Sequence, residues 1–274
     1  MKKYLMMLVA LLGLAACSQK KAEVAQEEAQ PKVLVVYYSQ TGATQQIAEQ
    51  FQQALGADME KLEVVTPYDG TYDETIQRCM KERESGEFPE LKPIQANLAD
   101  YDVIYLGYPV WFGTYALPMG SFIKNNDLSG KKLIPFCTFG SGGLNTSTDD
   151  LKKAQPNAEV LPGYGVRNAR LAAAPAEIDY FLKSWGYVEG EVEALPDYLE
   201  QKPVTEEETV IFNAAVEGYS MLSATPLTVG ARQTSKGTDY LFCAENGEEK
   251  TPIQVKVTVS NEEGAKPEFT EVIR

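Results

Sequence analysis

The 274-residue chain contains no histidine. That absence excludes a Ser-His-Asp triad, a His-ligated zinc ion and an imidazole general base. Cysteine is scarce: Cys17, Cys79, Cys137 and Cys243 are far apart and form no C-x-x-C pair. This spacing argues against a disulfide framework, a thioredoxin-type dithiol and a zinc site, so no metal is expected. Basic charge is in deficit, with 25 Lys+Arg against 39 Asp+Glu and a net charge of −14. A nucleic-acid partner is therefore disfavoured, because phosphates are neutralised by basic patches. What remains is an ordinary globular composition, 44% hydrophobic and 23% charged, enough for one large domain or two unequal ones at about 150 residues each.

The N-terminus carries Lys2 and Lys3 and then an apolar run from Tyr4 to Leu14. That run is shorter than the ~20 residues that span a bilayer, and reads as an export signal. It ends in Leu14-Ala15-Ala16-Cys17, which resembles the lipobox of bacterial lipoproteins. The resemblance implies a signal segment over 1–16, cleavage before Cys17, and a lipid on Cys17. The alternative is an ordinary signal peptide with a chance cysteine. Ser18 to Pro31 is rich in Gln, Glu, Ala and Lys without apolar periodicity. With Cys17 it makes a tether over 17–31, extending at most ~50 Å. Ser18 beside the lipidated cysteine resembles an outer-membrane sorting choice. The expected location is thus a lipid anchor on a bacterial membrane, facing the periplasm.

From residue 32 to about 187, apolar runs alternate with helical patterns. Lys32–Tyr38, Met59–Val65, Asp102–Tyr108, Lys131–Thr138 and roughly Glu159–Val166 read as strands. Ile47, Phe51 and Leu55 share one helical face, and Ile178, Phe181, Leu182 and Trp185 another. Tyr72–Glu84 reads as a polar helix. Continuous apolar strands between helices predict an α/β fold: a parallel sheet covered on both faces. Cys137 falls in an apolar run, as a small core residue would.

The acidic stretch 188–205, with Glu189, Glu191, Glu193, Asp197 and Glu200, reads as a solvated linker. A second, small α+β domain is expected over 206–274. It has a helical stretch at Glu207–Leu222 and strand-like runs at Thr228–Gln233, Tyr240–Ala244, Ile253–Val259 and Phe269–Ile273.

The first strand runs into Ser39-Gln40-Thr41-Gly42-Ala43-Thr44, and a helix follows at once. A helix start offers free N–H groups and partial positive charge, and Gly42 permits a turn that points successive amides inward. Ser39, Thr41 and Thr44 add hydroxyls. The loop has no Lys or Arg and is neither a Walker loop nor a G-x-G-x-x-G loop. A plain capped helix start is the competing reading. After the third strand comes Gly107-Tyr108-Pro109-Val110-Trp111-Phe112-Gly113-Thr114, and after the fourth Thr138-Phe139-Gly140-Ser141-Gly142-Gly143-Leu144-Asn145-Thr146-Ser147. Core packing of Trp111 and Phe112 is the competing reading for the first of these. A hydrolase elbow at Ser141 fails for lack of G-x-S-x-G and of a histidine.

Three loops in this order resemble the flavodoxin family. Ser39, Thr41, Gly42 and Thr44 match its FMN phosphate loop, with Ala43 in place of the usual Asn. The resemblance implies a doubly wound sheet of order 2-1-3-4-5 and bound FMN. It assigns the phosphate to Ser39–Thr44 and flavin contacts to Pro109, Val110, Trp111, Phe112 and Gly113. Thr138, Phe139, Gly140, Ser141, Gly142 and Gly143 complete the set, with Trp111 and Phe139 as flanking aromatics. It implies electron transfer between redox partner proteins, with no catalytic residue. Two alternatives remain: a flavin-dependent NAD(P)H:quinone-type reductase, and a non-catalytic binding or protease-inhibitor lipoprotein. The last arises because the C-terminal order of elements, with Gln233-Thr234-Ser235-Lys236-Gly237 between two strands, resembles the cystatin-like fold. Ser235 stands where inhibitory cystatins carry valine, and Glu268 rather than tryptophan follows Pro267, which favours an accessory module.

Overall fold

The computed structural model describes residues 31–140, 142–219 and 222–273. The expected signal segment, Cys17 and all of the expected tether but Pro31 lie outside the described residues. Among those described, no helix is long and apolar enough to cross a membrane.

In chain order the first unit comprises β1 (Val33–Tyr37), α1 (Ala43–Leu55), β2 (Asp58–Lys61), α2 (Tyr72–Ser85), β3 (Val103–Trp111) and β4 (Thr114–Tyr115). There follow α3 (Leu117–Asn125), β5 (Lys132–Phe139), α4 (Asn145–Ala154), β6 (Glu159–Val160), β7 (Tyr164–Arg167) and α5 (Ala174–Ser184). The parallel sheet runs β2-β1-β3-β5-β6, with β7 also beside β5 and β4 folded back on β3. With the short β4 set aside, this is the expected 2-1-3-4-5 order.

The apolar runs are continuous because both faces of the sheet are covered. Leu34, Val36, Ile104, Leu106 and Leu133 pack with Met119, Phe122 and Ile123 of α3 and Leu151 of α4. The alternate residues Val35, Tyr37, Tyr105, Ile134 and Phe136 pack with Ile47 and Phe51 of α1 and Ile178, Phe181 and Leu182 of α5. At the top of β3, Gly107 makes room for Phe136: a Cβ there would lie 2.1 Å from the Phe136 ring.

Several stretches depart from the sequence reading. β2 stops at Lys61, and Val64 forms an isolated antiparallel bridge to Leu91. The fifth strand is split into β6 and β7. Between them Pro162 lacks an N–H, and Gly163 passes so close to Pro135 that a Cβ would sit 2.1 Å from its carbonyl oxygen. The acidic stretch 188–205 is not a free linker. Its acids stay in water, but Leu199 N–H donates to the Ala231 carbonyl at 2.8 Å, and β8 (Lys202–Pro203) pairs with the next sheet.

That sheet is antiparallel, ordered β12-β11-β10-β9-β8, with β9 (Ala224–Thr234), β10 (Gly237–Asn246), β11 (Thr251–Ser260) and β12 (Glu268–Ile273). The helix α6 (Glu206–Val216) lies between β8 and β9 in the chain, and its Phe212 is buried with Val229, Phe242, Val255, Val257 and Phe269. α6 is shorter than expected because Glu217 is extended and Gly218 left-handed (φ 79°).

Gly107→Ala is expected to cost about 1–3 kcal/mol through overpacking against Phe136. The measurement is the urea midpoint, and an unchanged midpoint would contradict the packing argument.

Candidate functional site

All three sequence-marked loops leave the carboxyl ends of β1, β3 and β5, which lie along one edge because the strands are parallel. The first loop ends at Gly42, the N-cap of α1, with φ 91°. The Gly42 N–H donates to Ser39 Oγ at 3.1 Å. A side chain at Gly42 would meet nothing within 4 Å, so the left-handed angle, not space, is what demands glycine there.

α1 begins without a side-chain cap and without an acid in its first turn. The starts of α3 and α4 are likewise uncapped and without a first-turn acid, whereas those of α2 and α6 are closed. In α2, Thr71 and Glu74 form a full capping box, and in α6 Thr205 and Glu208 do the same. The first-turn amides of α1, with the Ser39 and Thr41 hydroxyls, form a donor set suited to an anion. Thr44 is buried, and its hydroxyl shares a hydrogen bond with Thr138 Oγ1 at 2.8 Å. That bond ties the first loop to the end of β5. Gln40 turns away from the loop interior: its amide donates to the Tyr68 carbonyl at 2.5 Å, and its Oε1 accepts from the Tyr38 hydroxyl.

The second loop is a hairpin rather than an open loop. β3 continues through Trp111 and returns as β4, with Val110 opposite Tyr115 and Trp111 opposite Thr114. Phe112 and Gly113 form the tip, both left-handed, at φ 50° and 84°. Two such residues make the turn that matches strand twist. Phe112 adopts it against its own preference. Trp111 is half-buried and nearly perpendicular to two tyrosines, Tyr38 at 5.8 Å and Tyr68 at 5.3 Å between ring centroids. Tyr68 is braced in turn by Glu82, which accepts from its hydroxyl at 2.5 Å, and by Arg78, 3.8 Å above its ring. Burial first, then Glu82, pushes the Tyr68 hydroxyl far above its ordinary value, so it stays protonated. Tyr38 and Tyr68 carried no motif; only their nearness to a loop and their aromaticity marked them. Below the hairpin a cavity of about 450 Å³ is lined by Arg83, Phe88, Trp111, Phe112, Tyr115 and Lys153, among others. It includes no residue of Ser39–Thr44, so the donor chemistry, not this cavity, locates the site.

In the third loop Thr138 and Phe139 still belong to β5 and are buried. Phe139 lies in the core, against Gly165, rather than presenting a free aromatic face. Ser141 lies outside the described residues. Gly142 abuts the hairpin, where a Cβ would come within 3.2 Å of Val110. Asn145 opens α4, and the Tyr108 hydroxyl donates to Ser147 Oγ at 3.1 Å. Thus Gly140 and Gly142 of this loop, the hairpin and the Ser39–Thr44 turn share one end of the sheet.

The chain belongs to the flavodoxin family: the family profile described as Flavodoxin matches residues 32–182. A solved protein of Bacteroides eggerthii assigned as a flavoprotein is 28% identical, with a TM-score of 0.51 over 57% of this chain and 98% of its own. One from Bacteroides uniformis, assigned likewise, is 27% identical, with a TM-score of 0.49 over 54% and 98%. A Lactobacillus acidophilus flavoprotein solved in complex with FMN is 20% identical, with a TM-score of 0.46 over 57% and 99%. The family match stops at residue 182, short of the antiparallel sheet.

Two thiols sit deep in this unit. Burial pushes Cys79 up to about 11 and raises Cys137 further, while Cys243 is half-buried. Iodoacetamide at pH 8 is expected to modify Cys243 and to spare Cys79 and Cys137 until the protein is unfolded. Peptide mass spectrometry reads the result, and rapid native labelling of Cys137 would contradict it.

Proposed function

We propose that this protein is an FMN-binding, electron-transferring flavodoxin carried on the bacterial envelope by a lipid at Cys17. The observation that carries the flavin reading is the open start of α1. It lacks a side-chain cap and a first-turn acid, as α3 and α4 also do, but it alone among the described α-helices has a left-handed glycine as its N-cap, behind a turn of hydroxyls. A phosphate fits such neutral donors, and the helix dipole favours its charge. The similarity to the Bacteroides eggerthii protein supports a flavin ligand.

In this reading the α1 amides, Ser39 and Thr41 hold the phosphate. Trp111 offers an apolar ring to a flat tricycle, kept in place by Tyr38 and Tyr68. Gly113 leaves the hairpin tip open for backbone contact. FMN, when bound, supplies one-electron chemistry, and the surrounding residues set access and potential. A reductase acting on a small molecule has one observation in its favour, the cavity beside Trp111. NADPH consumption well beyond the amount of flavin would establish turnover. The C-terminal domain is read as an accessory module: the polar Ser235-Lys236 tip between β9 and β10 gives no apolar wedge for a protease cleft.

Gly42→Val forces a β-branched residue into a left-handed angle at the helix start and is expected to weaken FMN binding by more than about tenfold while the distant core stays folded. Fluorescence titration with FMN, alongside circular dichroism, tests it. Undiminished affinity in a folded variant sinks the phosphate assignment. The envelope half rests on Leu14-Ala15-Ala16-Cys17. A Cys17→Ser variant is expected in the soluble fraction after cell lysis, and retention on carbonate-washed membranes would rule out lipid as the anchor.

A further inference from the structure

We infer that the C-terminal module is part of the flavin site, with Arg167 and Tyr219 as positioning residues that hold the glycine-rich loop through the Gly140 carbonyl. Its functional half rests on the FMN reading above; its structural half does not.

Arg167 ends β7 and is 4% exposed. A buried guanidinium must be compensated, yet no side-chain carboxylate among the described residues pairs with it. Its partners are two carbonyls and two rings. Nε donates to the Gly140 carbonyl at 3.1 Å, and a terminal nitrogen donates to the Phe269 carbonyl. The guanidinium lies 4.1 Å from the Tyr219 ring centroid and 4.0 Å from that of Phe269. One side of this cation is therefore the glycine-rich loop, and the other is β12 with the segment after α6.

The same carbonyl takes a second donor. The Tyr219 hydroxyl bonds Gly140 O at 2.6 Å, and the Tyr219 ring packs on Phe269 at 5.0 Å. Two donors on one acceptor fix the backbone at Gly140. Two residues on, a Cβ at Gly142 would stand 3.2 Å from Val110 of the hairpin, and one at Gly143 would stand 3.4 Å from the Val272 carbonyl oxygen. The loop is thus held between the hairpin and the last strand of the module. Outside it, Arg170 bridges Glu177 at 2.8 Å and Glu268 at 3.1 Å, fastening the two units again.

Glycine-rich segments lose the most freedom on being ordered. A loop already ordered by the module meets its ligand preorganised, and affinity gains by that difference. The early end of α6 serves the same purpose, because extended Glu217 and left-handed Gly218 release Tyr219 from the helix toward Gly140.

The test uses the full chain with Tyr219→Phe, which removes the hydroxyl and keeps the ring over Arg167. Arg167→Met is the stronger variant, and Tyr240→Phe, a tyrosine of the module away from this contact, is the control. Hydrogen exchange of apoprotein peptides covering 139–144 reads the loop without flavin. FMN titration reads the ligand. In Tyr219→Phe, faster exchange in 139–144 and a Kd for FMN raised about tenfold are expected, with both unchanged in Tyr240→Phe. Loop exchange as slow as in the parent overturns the positioning role, whether or not flavin binds. A loosened loop with unaltered FMN affinity overturns its bearing on the ligand. An equal effect in Tyr240→Phe shows general loosening of the module and also refutes it.

Discussion

Parallel alignment of the strands is the constraint from which the rest of this molecule follows. Each of β1, β3 and β5 has to end at the same edge, because each returns through a helix on one face or the other. Residues 39–44, 109–114 and 138–143 become neighbours for that reason alone. The buried pair Thr44–Thr138 joins the first and third of these segments, 94 residues apart. The close approach of Gly142 to Val110 brings the second and third together. The site is assembled in this way from backbone, hydroxyls and a few rings.

The electrostatics are local. A chain of net charge −14 repels an anion at long range, but screening limits that field to about 8 Å at physiological salt. Within that distance the open end of α1 counts for more. A threonine with a glutamate three residues on closes α2 and α6, while α1 opens on a left-handed glycine. The absence of Lys and Arg from the loop leaves neutral donors as the whole of the recognition chemistry there.

Much of this was legible in the sequence, for physical reasons. Runs such as Val33–Tyr37 and Leu133–Thr138 announce strands buried on both faces, and Gly42 between hydroxyls and a helix announces the turn. Other features were hidden because their causes are remote. The hairpin at Phe112-Gly113 depends on a phenylalanine in a conformation it rarely adopts. Phe139 reads as a loop aromatic, but strand pairing carries β5 one residue further and puts the ring in the core. The acidic stretch 188–205 has a linker's composition, while its backbone bonds to β9, which composition does not record. Arg167 gave no signal, since its partners Tyr219 and Phe269 stand far along the chain, one after α6 and the other in β12.

The central claim is that the opening of α1 is a phosphate site and that a flavin is what it holds. Titration of the purified full chain with FMN and with riboflavin, which lacks the phosphate, tests this most directly. The account predicts quenched flavin fluorescence at one equivalent of FMN, with riboflavin bound at least about a hundredfold more weakly, as the loss of several charge-assisted hydrogen bonds entails. Equal affinity for the two, or no binding of FMN, would contradict it.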